Sequence, residues 1–140
     1  MNMKVFLVVL LGLSLTMCLK QDDVLAKYKV EVLKSGTYES YPSQGETVTV
    51  HYTGTFLDGK KFDSSKDRNQ PFQFQVGRGR VIKCWDEVVA RLTLGDHVIV
   101  TCPSETAYGK NGAGSVIPPN SDLKFEIEML GFGTHKVSDL

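Results

Sequence analysis

The chain is 140 residues long, room for one domain and little else. Sixteen Lys and Arg balance sixteen Asp and Glu, which excludes the broad positive surface of a nucleic-acid binder. Hydrophobic residues at 41% and charged residues at 23% match an ordinary globular protein and exclude a disordered one.

The apolar residues are unevenly spread. After Lys4 they run from Val5 to Leu19 with few interruptions. A basic start and a core shorter than the roughly 20 residues that span a bilayer form the pattern of a signal peptide. Cleavage after Cys18 sets Thr16 and Cys18 at the two positions that require small residues. The same run also reads as a buried N-terminal helix, a lipid anchor on Cys18 or an uncleaved membrane anchor. The first lacks a polar face, and bulky Met17 disfavours the second. Residues 1–18 are therefore expected to be a leader that meets the membrane only transiently, 19–26 an extension, 27–132 the folded domain and 133–140 a tail. Loss of the leader leaves two cysteines, Cys84 and Cys102, in an oxidising compartment, where they form either a disulfide or two buried thiols. Their spacing matches no zinc pattern, and His51, His97 and His135 are scattered, so no metal is expected.

From Tyr28 to Val32, and again from Val48 to Tyr52, apolar and polar residues alternate with the period of a half-buried strand. Asp58-Gly59 is a tight-turn dipeptide. After the polar stretch Lys66 to Gln70, alternation resumes from Pro71 to Val76 and closes at Gly77. The period then changes. Val81, Trp85, Val88, Val89 and Leu92 fall at helical spacing, which predicts one short amphipathic helix stopping near Gly95. Val98 to Cys102 reads as a strand ended by Pro103. A loop with three glycines and Pro118-Pro119 runs from Tyr108 to Asn120. Leu123, Phe125, Ile127 and Met129 alternate with charged residues in the clearest strand of the chain. Five to six strands with one helix cannot form a parallel sheet, which needs a crossover for each strand pair. The expected fold class is α+β: a curled antiparallel sheet wrapped over one short helix.

No nucleophile elbow, phosphate loop or metal-binding helix occurs in the sequence. What stands out is aromatic. Tyr52, Phe62, Phe72, Phe74, Trp85, Tyr108 and Phe125 come from different elements, and a fold that brings them together makes either a concave apolar pocket fringed by Asp63 and Arg68 or a plain core. Phe74 suits both readings equally, and Trp85, the one tryptophan, equally floors a cleft or fills a core. Asp63 reads as a turn carboxylate paired with Arg68, as the group that orients Tyr108, or as a ligand contact.

Six strings, in order, carry a family resemblance. They are Val50 to Gly54, Asp58 to Ser65, Arg68-Asn69 with Pro71-Phe72, Val81 to Glu87, Ala107-Tyr108-Gly109 and Ile117-Pro118-Pro119. Over residues 27–132 the chain resembles the FKBP-type peptidyl-prolyl cis–trans isomerases, immunophilins that bind tacrolimus and rapamycin. The resemblance implies a proline pocket lined by Tyr52, Phe62, Phe72, Val81, Ile82, Trp85 and Phe125, with Trp85 as its floor. Asp63 and Tyr108 supply polar contacts, the Ile82 N–H holds a substrate carbonyl, Arg68 and Ala107 border the site, and Val116 and Ile117 form a flap. Asp63, Tyr108, Ile82 and Phe125 are the expected catalytic residues. Two positions depart from the family pattern at the rim: Arg80 replaces a common acidic residue and Ala113 a frequent His, so an altered peptide or drug preference is expected. Cys84 stands in place of a frequent Gly.

The implied partners are proline-containing polypeptides and tacrolimus- or rapamycin-type macrolides, with no cofactor and no nucleic acid. The implied activity is X–Pro isomerisation during protein folding. A binding module of the same fold that grips proline peptides without turnover is the alternative. The leader implies the secretory pathway, either the lumen of the endoplasmic reticulum or secretion (the periplasm in a bacterium). The final Val137-Ser138-Asp139-Leu140 resembles a Lys-Asp-Glu-Leu retention signal but lacks its Glu. With no second domain expected, a monomer is the default.

Overall fold

In a computed structural model, which describes residues 23–140, the period-two segments become one antiparallel sheet. The leader expected at residues 1–18 lies outside the described residues. Two ten-residue strands, β2 (Thr47–Phe56) and β6 (Leu123–Phe132), form its centre. They pair from Val48 opposite Phe132 to Phe56 opposite Leu123. Beyond β6 lies β5 (His97–Cys102), and β1 (Val30–Lys34) is the outer edge. The other side of β2 is shared: β4 (Phe72–Gln75) pairs with Thr47–Val50, and β3 (Lys61–Ser64) with Thr53–Thr55. A final two-residue strand, β7 (His135–Lys136), folds back on β6 through Gly133 at φ +56°. It brings the strands to seven, where alternation predicts five to six; two residues are too few to show a period. At the expected turn, Gly59 takes φ +92° and donates its N–H to the Phe56 carbonyl.

Between β3 and β4 the edge of β2 would be left without a partner. There a 3₁₀ turn, Ser65–Arg68, leaves the sheet, and Ser65 takes over by side chain. Its hydroxyl accepts the Tyr52 N–H at 2.9 Å and lies 2.8 Å from His51 Nδ1. This keeps the backbone satisfied at the position where the Tyr52 side chain enters the site.

The inner face of the sheet carries Val48, Val50, Val98, Val100, Leu123, Ile127 and Met129, all buried. Against it lies α1 (Lys83–Val89), which buries Cys84, Trp85, Val88 and Val89. Seven residues are too few for a helix to persist alone in water. Burial holds it, together with a disulfide from Cys84 to Cys102 at the end of β5. Of the two states open to the cysteines, the disulfide is the one present. The helix is shorter than its apolar spacing predicts: Val81 and Ile82 run ahead of it in a non-helical segment, and Leu92 follows it into the core. Tyr28 likewise does not open the first strand. Lys29 adopts φ +49°, which breaks the alternation and turns the Tyr28 ring fully inward, where its hydroxyl donates to Glu87 on α1 at 2.6 Å. Among the described residues no helix is long and apolar enough to cross a membrane.

Candidate functional site

The rings meet at Trp85. Tyr52 on β2, Phe72 on β4 and Phe125 on β6 have centroids 5.0, 5.9 and 5.3 Å from its ring, and their planes stand at 78°, 73° and 87° to it. Such edge-to-face contacts suit the ring quadrupoles. They also make the indole a floor with three upright walls. Phe62 on β3 extends the Phe125 wall at 5.8 Å and 88°. The open cavity they form is about 450 Å³, lined by these five rings with Asp63, Tyr108 and the segment Gly79-Arg80-Val81-Ile82. That volume suits a small apolar ligand. Phe74 does not line it: its ring stacks behind Phe72 at 5.7 Å and is buried, so of its two readings the core holds.

Gly54, which sequence reading left without a role, lets the wall close. A Cβ there would lie 2.5 Å from the Phe62 ring and 3.0 Å from that of Phe125. Its place in the string Val50 to Gly54 is the signal that marks it. Asp86 is a second unassigned contributor. Its two carboxylate oxygens accept the N–H groups of Gly77 and Gly79, at 3.0 and 2.8 Å, and so fix the bend that brings Arg80, Val81 and Ile82 to the rim. Both glycines have positive φ, so the bend needs them. The Ile82 carbonyl accepts from Trp85 and Asp86 and starts the helix, but among the described residues the Ile82 N–H donates to no partner. Trp85 Nε1 is buried without an acceptor among the described residues. The ring is thus positioned for its face, at the cost of its polar end.

The polar side of the cavity is a fixed triad. Asp63 receives the Tyr52 hydroxyl at 2.5 Å and Arg68 Nη1 at 2.6 Å, while Arg68 Nη2 donates to the Tyr52 oxygen at 2.9 Å. Burial pushes the Asp63 carboxyl up, but these two hydrogen bonds and the guanidinium charge outweigh it and hold the group below its ordinary value. Burial, then the Asp63 hydrogen bond, raises Tyr52; burial and the Asp63 charge raise Tyr108. Of the readings of Asp63, its pairing with Arg68 is present, and the hydroxyl it holds is that of Tyr52. Tyr108 makes no hydrogen bond among the described residues and is 40% exposed at the cavity mouth.

Nine of the expected site residues therefore share one cavity: Tyr52, Phe62, Asp63, Phe72, Val81, Ile82, Trp85, Tyr108 and Phe125. Four do not line it. Arg68 stands behind the wall and acts through Asp63 and Tyr52. Ala107 packs against the core, as does Ile117, which is 5% exposed. The backbone of Ile117 is spent on a small hairpin with Ala113, its N–H and carbonyl both bonded at 3.0 and 2.9 Å. Val116 points out to solvent at 55% exposure. Among the described residues no three His, Cys, Asp or Glu side chains gather as a metal would need.

A family model for FKBP-type peptidyl-prolyl cis-trans isomerases matches residues 38–130. The chain is 51% identical over 102 residues to the peptidyl-prolyl cis-trans isomerase Fkbp12 of Drosophila melanogaster, covering 73% of this chain and 94% of that protein. It is 48% identical over 106 residues to FK506-binding protein 1A of Aspergillus fumigatus, 76% and 95% of the two chains. To the peptidyl-prolyl cis-trans isomerase FKBP1A of Xenopus laevis it is 46% identical over 102 residues, 73% and 94%.

Proposed function

The chain belongs to the family of FKBP-type peptidyl-prolyl cis–trans isomerases and shares its rotamase activity, and from this we propose how its residues divide the work. The prolyl ring of a substrate rests on Trp85 between Tyr52, Phe72 and Phe125. The Ile82 N–H donates to a substrate carbonyl beside it. Asp63, locked by Arg68, holds the Tyr52 ring upright, and Tyr108 offers its hydroxyl from the mouth. The observation that carries this reading is the Ile82 N–H, a donor with no partner among the described residues, beside a cavity walled mainly by aromatic rings with Asp63 and Tyr108 on its polar side.

Such a site suits a reaction that needs no nucleophile. Rotation about a peptide bond is slow because resonance gives it a barrier of about 18–20 kcal/mol, and X–Pro bonds turn over in tens to hundreds of seconds. The planar amide is more dipolar than the twisted one. Removing water from it penalises the planar ground state, and a donor on the neighbouring carbonyl holds the chain while the ring turns. An acceleration of roughly 10⁴–10⁶ requires about 5–8 kcal/mol, within reach of burial and one or two hydrogen bonds. Tacrolimus- or rapamycin-type macrolides, which the family membership suggests as ligands, would compete with substrate for Trp85.

A protease-coupled assay with Leu-Pro or Phe-Pro peptides tests the assignment: cis-to-trans conversion accelerates at sub-micromolar protein and tacrolimus abolishes it. Binding of the drug without acceleration would leave only a proline-binding module. The substrates we propose are secretory proteins during folding. The leader pattern before Leu19 supports this, as does a disulfide buried in the core, a bond that oxidising compartments allow to persist. N-terminal sequencing of the protein recovered from fractionated cells tests it: a mature form starting near Leu19 is expected, and an intact Met1 would overturn it.

A further inference from the structure

The cavity rim carries one charge that nothing among the described residues neutralises. Arg80 lines the cavity, is exposed, and makes no ion pair or hydrogen bond among the described residues. The nearby charges are otherwise engaged. Asp63 is bound to Arg68 at 2.6 Å, the Asp86 carboxylate is turned onto the N–H groups of Gly77 and Gly79, and Lys83 faces Glu87 at 3.8 Å. Arg80 also sits two residues before Ile82, whose N–H is unspent. Two residues of extended chain reach at most ~7 Å. A substrate strand running beside this segment, with a carbonyl on Ile82, therefore brings the side chain about two positions along into reach of the guanidinium. Among the described residues the one carboxylate that lines the cavity, Asp63, is already paired with Arg68, so the rim favours an anion over a cation.

We propose that Arg80 is a specificity residue that selects substrates carrying an acidic side chain about two positions from the proline. The inference rests on the isomerase reading of the cavity and adds the charge of the chain it prefers. The contact is exposed, so its strength is that of a surface ion pair: roughly two- to fivefold in kcat/KM, falling as salt shortens the Debye length from about 10 Å at 0.1 M to about 3 Å at 1 M. Steering of an acidic peptide toward a positive rim acts in the same direction on association.

The test uses acetylated, amidated peptides around a Leu-Pro-Phe core. Glu, Ala or Lys is placed at the second residue before the proline in one series and at the second residue after it in another. Exchange NMR reads cis–trans rates without a protease, and Trp85 fluorescence reads binding. The expected order is Glu above Ala above Lys in at least one series. The Glu-to-Lys ratio should collapse toward one in 1 M salt and invert in the Arg80→Glu variant. The series that shows the order fixes the direction in which the substrate runs. Because each ratio is taken within one protein, a general loss of activity in the variant does not obscure it. Equal rates for Glu and Lys in both series, or a ratio that Arg80→Glu leaves unchanged, would overturn the proposal. If no peptide is turned over but binding follows the same order, the isomerase reading falls and the charge preference stands.

Discussion

Asp63 makes contacts whose effects on stability and on rate differ. Its side chain is 40% exposed and that of Arg68 51%, so the ion pair adds little to folding, in the range of 0–1 kcal/mol for exposed pairs. Its hold on the Tyr52 hydroxyl is a constraint on a wall of the site. We expect Asp63→Val to lower kcat/KM about tenfold, the worth of roughly one hydrogen bond of 1–1.5 kcal/mol, while Tm falls by less than about 5 °C. Parallel thermal melts and peptide assays check this; a large drop in Tm with a proportionate loss of rate would make Asp63 a packing residue only. Gly54 behaves in the opposite way, because its neighbours are rings rather than solvent. Gly54→Ala forces Phe62 and Phe125 apart, at about 1–3 kcal/mol for an overpacked site, and moves the wall with them. Adding Phe62→Leu makes room for the methyl, so urea melts should show the double variant more stable than the sum of the two single changes predicts. Asp63 could be singled out in the sequence because it is charged beside aromatic residues. The string Val50 to Gly54 marked Gly54 without giving its reason, because what it provides is space between the rings of Phe62 and Phe125, on strands far apart in the chain.

Among the elements, α1 depends most on its surroundings. It is seven residues long, and its N-cap, Ile82, has no side-chain acceptor to offer. It is held by the Cys84–Cys102 disulfide, by the hydrogen bond from Tyr28 to Glu87, and by its apolar face. Cross-linking residues 18 apart restricts the unfolded chain by about 3 kcal/mol. Both cysteines are fully buried, so dithiothreitol should reduce the native protein slowly and the urea-unfolded protein at once. Intact mass should rise by two hydrogen atoms on reduction, one for each thiol formed. The Cys84→Ala/Cys102→Ala variant should lose roughly that 3 kcal/mol in urea melts; an unchanged midpoint would mean that burial alone secures the helix. The apolar spacing from Val81 to Leu92 announced a helix, yet could not bound it. Val81 and Ile82 are apolar for the cavity and Leu92 for the core, and a pattern of burial does not tell those destinations apart. The loop from Tyr108 to Asn120 shows the same limit. Its glycines marked irregular backbone correctly, but the Ala113–Ile117 hairpin that turns Ile117 inward rests on backbone hydrogen bonds that side-chain types do not encode.

For the molecule as a whole, the strict alternation in β6 and β2 was enough to specify an antiparallel sheet, because each strand buries one face and wets the other. That the sheet closes on α1 followed from the count of strands and helices, but whether the scattered rings then leave a cavity or fill a core depends on long-range pairing and was legible only through family resemblance. The finished arrangement drives its coupled titratable groups away from neutrality. Asp63 and Glu87 lie below their ordinary values because the hydrogen bonds they accept outweigh burial, and Tyr28, Tyr52 and Tyr108 lie above theirs, chiefly through burial. A depressed carboxyl contributes stability that is present above the unfolded value, near pH 4, and lost as pH falls through the folded one. A raised tyrosine contributes stability that is present below about pH 10 and lost as pH climbs through its folded value. The urea midpoint should therefore hold a plateau from about pH 5 to 9 and fall on both sides. Since rotation of a prolyl bond transfers no proton, kcat/KM should share that plateau, varying less than about twofold between pH 6 and 8. A bell-shaped rate profile inside the stability plateau would require an acid and a base at work, and would assign a proton transfer to Asp63 or Tyr108, the titratable pair that lines the cavity, where rotation of the bond asks for none.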